Sequence, residues 1–135
     1  MTYDDFMGEV QHRTGLSSLG DAVAAVHATL ETLAERLTDD EAKALASQLP
    51  REVAVYILGS VLVEPDRMSL DEFLNRITWR EQIGRTDAIE HARVVMEVLQ
   101  EAASEQETNE VLSQLPPEYH AFIASDDQGE WKQAA

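Results

Sequence analysis

The chain has 135 residues, of which 26 are acidic and 10 are basic, so its formal net charge is −16 at pH 7. Such a charge repels phosphate groups, which argues against nucleic acid and anionic membranes as partners and favours cations or basic protein surfaces. There is no cysteine, which excludes disulfides, thiolate metal sites and thiol nucleophiles. With 44% apolar residues, a chain of this length can bury one shared core.

Two explanations of the acidic composition stay open. Lysine occurs only at Lys43 and Lys132, and the remaining basic residues are arginine. The acidic residues either form an ordinary solubilising surface or reflect halophilic adaptation to a salt-rich cytoplasm, where their repulsion is screened. The sequence begins without a signal peptide pattern and has no apolar run long enough to span a bilayer. We therefore expect a cytoplasmic protein.

The first two predicted helices follow each other at the start of the chain. The first starts with a capping box formed by Thr2 and Asp5 and ends at Gly15. Its apolar side chains share one helix face, namely Tyr3, Phe6, Met7 and Val10. The second helix is the longest, and its apolar residues are spaced three and four apart, which predicts a narrow seam for helix packing. These residues are Val23, Val26, Leu30, Leu33 and Leu37.

The third and fourth predicted helices are joined by a Gln-Leu-Pro turn. The third opens with a capping box formed by Thr38 and Glu41. Pro50 is expected to be the first residue of the fourth helix, where its missing N–H costs nothing. From Val53 onwards the fourth helix is apolar nearly all round, so we expect it to be the most buried element. Gln48 is expected to bond free backbone groups between these two helices, with ligand binding as the alternative.

The second half of the chain repeats this pattern. Ser47–Pro50 returns as Ser113–Pro116, and residues 21 to 59 align without a gap at a spacing of 66 residues. Other aligned pairs are Phe6 with Phe73, Arg13 with Arg80, Glu31 with Glu97, Glu35 with Glu101, Glu41 with Glu107 and Gln48 with Gln114. Gly84 is expected to end the first helix of this second half, as Gly15 does in the first.

The repeat predicts an all-α fold in which two tandem four-helix repeat units pack into one compact helical domain. The units are residues 2–63 and 69–125, joined by a linker at 64–68. Residues 126–135 are expected to form a flexible acidic tail, and this tail contains Trp131.

The paired units also resemble a known prokaryotic family, the domain of unknown function 2267. The resemblance rests on Phe6 and Phe73 at the unit starts and on the two Gln-Leu-Pro turns, and it extends from Tyr3 to Ser125. It implies an all-helical fold and a bacterial or archaeal cytoplasmic source. It implies no activity.

No residue pattern points to a catalytic, cofactor-binding or metal-binding site. The four histidines lack metal-ligand spacing, and we expect them to be exposed or partly buried rather than ligands or bases. They are His12, His27, His91 and His120. Four glutamates at i, i+4 spacing on the long helices could gather as in a di-metal bundle, but no Glu-x-x-His element accompanies them. We expect Glu31, Glu35, Glu97 and Glu101 to form a solvated face instead.

The leading functional hypothesis is a non-enzymatic protein-interaction or assembly module. It would bind a protein partner or a second copy, and neither nucleic acid nor membrane, through a groove between the two long helices or through Trp131. The alternative is a small-molecule or metal-binding protein with a site between the two repeats.

Overall fold

The computed structural model describes residues 1–124, and this part of the chain contains eight α-helices and no strand. The predicted all-α fold is therefore confirmed. The helices are α1 (Tyr3–Thr14), α2 (Leu19–Ala34), α3 (Asp39–Ala46), α4 (Arg51–Leu58), α5 (Leu70–Glu81), α6 (Arg85–Ala102), α7 (Glu105–Ser113) and α8 (Pro117–Ala124). The predicted tail, with Trp131, lies outside the described residues.

The two halves pack reciprocally around the long helices α2 and α6. Helix α1 packs on α2 and also on α6, while α5 packs on α6 and also on α2. The long helices contact each other, and α3 contacts α7. A single cluster of buried apolar side chains runs through all of these contacts. Because each half covers the long helix of the other, neither half buries its apolar residues alone.

The prediction that the fourth helix is the most buried element is wrong. Although Val53 and Ile57 of α4 are fully buried, Val55 is 53% exposed and Leu58 is 49% exposed. Helices α2 and α6 are buried instead, and α2 buries much more than the predicted narrow seam, including Ala22, Ala25, Ala28, Thr29 and Thr32. The long helices each contact at least four other helices, whereas α4 packs mainly on α2 and α3 and leaves Val55 and Leu58 exposed.

Part of the seam between the two long helices is filled. Leu30 and Leu33 of α2 and Val95 and Val98 of α6 have almost no exposed surface. Near the starts of the same two helices, however, a cavity of about 330 Å³ is lined by Asp21 and Ala24 of α2 and by Asp87, Glu90 and His91 of α6.

Two predicted helix ends also need correction. Gly15 ends α1 in the left-handed conformation, with φ 74°, as predicted. In the second half, Gln82 takes this role with φ 59°, and its N–H bonds to the last turn of α5. Gly84 does not end α5 as predicted but is the N-cap of α6. Pro50 likewise precedes α4 as its N-cap rather than being its first helical residue.

Candidate functional site

The starts of α3 and α7 show half of the predicted capping box. The hydroxyl of Thr38 accepts a hydrogen bond from the backbone N–H of Glu41 at 3.2 Å. The hydroxyl of Ser104 accepts one from the N–H of Glu107 at 3.1 Å. In a complete box each glutamate would also accept from the N-cap N–H. Neither Glu41 nor Glu107 makes that bond, because another side chain occupies the N-cap N–H.

The glutamines of the Gln-Leu-Pro turns accept from these N-cap N–H groups in place of the glutamates, and each glutamine does so in the opposite half. Gln114 Oε1 accepts from the N–H of Thr38 at 3.3 Å. Gln48 Oε1 accepts from the N–H of Ser104 at 2.6 Å. The expectation that these glutamines bond backbone between their own third and fourth helices is therefore wrong. They tie the turn after α3 to the start of α7, and the turn after α7 to the start of α3.

The displaced carboxylates meet between α3 and α7. Glu41 is 9% exposed and Glu107 is 5% exposed, and Glu110 lies beside them at the surface. Carboxylate oxygens of all three residues lie within 4.8 Å of one another. We call Glu41, Glu107 and Glu110 the acidic centre. Burial raises the pKa of Glu41 to about 7, helped by hydrogen bonding with Glu107 and by the charges of Glu107 and Glu110.

Apart from the hydrogen bond that protonated Glu41 can make with Glu107, two oxygen atoms of the acidic centre have no hydrogen-bond partner among residues 1–124. They are Glu41 Oε1 and Glu107 Oε2, and both are shielded from solvent. The other oxygen of Glu41 has only a long contact, 3.5 Å, with the side-chain amide of Gln114. Within the described residues, no arginine, lysine or histidine forms an ion pair with any of the three carboxylates.

The four glutamates of the long helices bind arginines rather than facing solvent freely. Arg13 and Arg80, which the repeat aligns, each reach across to the long helix of the other half. The closest distances are 2.5 Å for Arg13–Glu97, 2.7 Å for Arg13–Glu101, 2.9 Å for Arg80–Glu35 and 3.3 Å for Arg80–Glu31. The solvated-face prediction is wrong for Glu35, whose side chain is 15% exposed, whereas the side chains of Glu97 and Glu101 remain 43% and 47% exposed. These ion pairs leave no free carboxylate set for a di-metal site on the long helices.

The histidines differ in burial. His91 is buried, contrary to expectation, and its Nδ1 lies 2.5 Å from Glu81 Oε2. Burial lowers the pKa of His91, but the hydrogen bond and charge of Glu81 outweigh it, so the net shift is upward. His27 stacks on Tyr56 at 4.5 Å. His120 Nε2 lies 2.6 Å from the carbonyl oxygen of Leu112, and His12 is exposed.

Apolar side chains are exposed along one side of α4 and in the segment that follows it. We call this set the α4 surface, and it comprises Val55, Leu58, Leu62 and Val63. In α8, the repeat aligns Ala121 with Val55 and Ala124 with Leu58. The two halves therefore differ here, because only the first presents large apolar side chains at these positions. Trp79 is exposed at a separate place, on α5.

The fold and these contacts define the class of the protein. It is an all-helical chain of two similar halves, and side chains of each half cap a helix and form ion pairs in the other half. None of the helices in residues 1–124 combines the length and the apolar character that a membrane span needs. The family model described as Uncharacterized conserved protein (DUF2267) matches residues 3–122, and the chain belongs to this family. The resemblance read from the two Gln-Leu-Pro turns is thereby confirmed. No curated protein matches the chain.

Proposed function

We propose that this protein is a non-enzymatic interaction module that binds a partner protein through the α4 surface. The observation that carries the proposal is the exposure of four large apolar side chains within nine residues, from Val55 to Val63. Single exposed apolar residues are ordinary, whereas a group of them marks a contact surface.

The α4 surface is not required by the fold. Val55 and Leu58 lie one turn apart on the same helix face, opposite the buried Val53 and Ile57. The aligned helix α8 forms with alanine at both exposed positions. Full burial of a valine or leucine side chain contributes about 1.5 to 3 kcal/mol. Covering the half-exposed side chains in a complex would therefore contribute binding energy that the free protein does not use.

The charge of the chain indicates the chemistry of the partner. With a net charge of −16, two copies repel each other, whereas a basic surface is attracted. We therefore propose a partner with an apolar centre and a basic rim, in preference to a second copy. We also propose that the protein acts in the cytoplasm.

The test compares what three tagged proteins retain from an extract of the source cells. They are the wild type, the double variant Val55→Ser with Leu58→Ser, and the control variant Trp79→Ser, which changes an exposed apolar residue elsewhere. Surface substitutions of this kind change stability little, which thermal unfolding verifies. We expect the wild type and the control to retain the same stoichiometric partner and the double variant to lose it. Equal retention by all three proteins, or no retained partner, contradicts the proposal.

Light scattering of the purified wild type distinguishes a partner from self-association. The proposal predicts a monomer. A dimer that the double variant abolishes would identify a second copy as the occupant of the α4 surface and would overturn the partner chemistry proposed above.

A further inference from the structure

The acidic centre has the composition and geometry of a cation site. We propose that Glu41, Glu107 and Glu110 together bind one divalent cation that prefers oxygen ligands, such as Ca²⁺ or Mn²⁺. The site lies where α3 meets α7 and uses no residue of the α4 surface, so this proposal is independent of the proposed function.

The donor atoms set the class of cation. All three residues offer carboxylate oxygens, which suit hard divalent ions, and within residues 1–124 no sulfur or imidazole ligand that would favour zinc or copper accompanies them. Oxygen ligands lie about 2.3 to 2.6 Å from Ca²⁺, so ligands on opposite sides of the ion are about 5 Å apart. The observed spread of no more than 4.8 Å allows one ion to contact all three carboxylates.

The unpaired buried oxygens are a separate observation that points to a ligand. Glu41 and Glu107 are more than nine-tenths buried, and when both are ionised each has one carboxylate oxygen without a partner among residues 1–124. Buried polar atoms normally have partners because leaving them unpaired costs free energy. A cation between the two carboxylates would satisfy both atoms and also remove the repulsion between them.

The surroundings allow a cation to enter and to stay hydrated in part. Glu110 is exposed, which provides a route from solvent to the two buried carboxylates. Ca²⁺ accepts six to eight oxygen ligands, so water molecules on the side of Glu110 would complete its coordination. The Gln114 side-chain amide nitrogen lies 3.5 Å from Oε2 of Glu41 and makes no hydrogen bond to Oε1.

A bound cation would join the two halves of the protein. Glu41 belongs to α3 and Glu107 and Glu110 belong to α7, and the glutamine caps already connect the same two helices. A ligand that binds only the folded state stabilises it by mass action. Saturating Ca²⁺ or Mn²⁺ is therefore expected to raise the unfolding temperature.

The experiment is calorimetric titration of chelator-treated full-length protein with CaCl₂, at pH 8 and in 0.5 M KCl. The high salt suppresses loose binding to the remaining acidic surface. We expect one saturable site per chain in the wild type. The variants Glu41→Gln and Glu110→Gln should weaken it at least tenfold, while Glu105→Gln, at an exposed acid of α7 outside the centre, should leave it unchanged. Mn²⁺ counted by electron paramagnetic resonance gives a second readout of the same stoichiometry.

Each remaining outcome overturns the proposal. The absence of saturable binding of both Ca²⁺ and Mn²⁺ does so, as does equal affinity in all four proteins. Because Glu110 is exposed, its substitution does not threaten folding, and Glu110→Gln keeps the test valid if Glu41→Gln alters the packing of α3.

Discussion

Replacing Glu41 with glutamine should stabilise the protein in alkaline buffer. The pKa of this carboxyl is raised from the ordinary value of 4.5 to about 7 in the folded protein. Between these two values the folded state binds more protons than the unfolded state, so the free energy of unfolding falls as pH rises. Each pKa unit corresponds to about 1.4 kcal/mol. Ionised Glu41 therefore destabilises the fold by about 3 kcal/mol above pH 7, and the neutral amide removes this penalty.

The assay is urea unfolding of the wild type and Glu41→Gln at pH 4, 6, 7 and 8.5, with a chelator present to remove divalent cations. The two proteins should have nearly equal free energies of unfolding at pH 4, and the variant should be more stable by about 3 kcal/mol at pH 8.5. Glu105→Gln, at an exposed acid of α7, serves as the control and should follow the wild type. A variant that is equal to or less stable than the wild type at pH 8.5 would refute the reasoning, as would a difference that does not change with pH.

Three further predictions concern the charged groups. Arg80→Met breaks the pair with Glu35, whose side chains are 22% and 15% exposed, and should lower the free energy of unfolding by about 1 to 3 kcal/mol. Lys43→Met breaks the exposed ion pair with Asp39 and should hardly change the free energy of unfolding measured by urea titration. If Arg80→Met and Lys43→Met lowered the free energy of unfolding equally, the stabilising role of the Arg80–Glu35 pair would be contradicted. Because the pKa of His91 is raised, its pair with Glu81 stabilises the fold below about pH 6.5 and this contribution is lost as pH rises through the folded-state pKa. His91→Gln should remove that part of the pH dependence, and an unchanged stability profile from pH 5 to 9 would show that the pair contributes nothing. If the acidity reflects adaptation to salt, the unfolding temperature should rise up to molar KCl, whereas a maximum in dilute buffer would exclude that explanation.

The helices were predictable because local patterns determine them. The hydroxyls of capping residues such as Thr2 and Thr38 accept hydrogen bonds from backbone N–H groups of the first turn, as the sequence indicates. The repeat also aligned Arg13 with Arg80, and these arginines occupy equivalent places across the two halves. What the alignment could not show is that each arginine reaches the glutamates of the other half, because that depends on how the halves pack.

The acidic centre was not predicted because the sequence pattern around its two buried glutamates is that of an ordinary capping box. Glu41 and Glu107 stand at the third position of capping boxes, where an acid normally bonds its own N-cap. Only the packing of α3 on α7 brings Gln48 and Gln114 to those N-caps and turns the two carboxylates towards each other. The repeat had aligned Glu41 with Glu107, and that equivalence was the one signal in the sequence that pointed to the pair.

The α4 surface escaped prediction for a related reason. A helix that is apolar all round is predicted to be buried, but this pattern does not determine how many other helices will pack against it. Helix α4 lies at the edge of the helix cluster, so Val53 enters the core and Val55 remains outside.

The most direct test of the proposed interaction is photo-crosslinking in the source cells. A photoreactive amino acid is introduced in place of Val55 on the α4 surface and, in a separate control protein, in place of Trp79 on α5. We expect one predominant cross-linked partner from position 55, no such product from position 79, and loss of the product when Leu58→Ser is added. The same products from both positions, or none from position 55, would contradict the claim that the α4 surface is where this protein binds its partner.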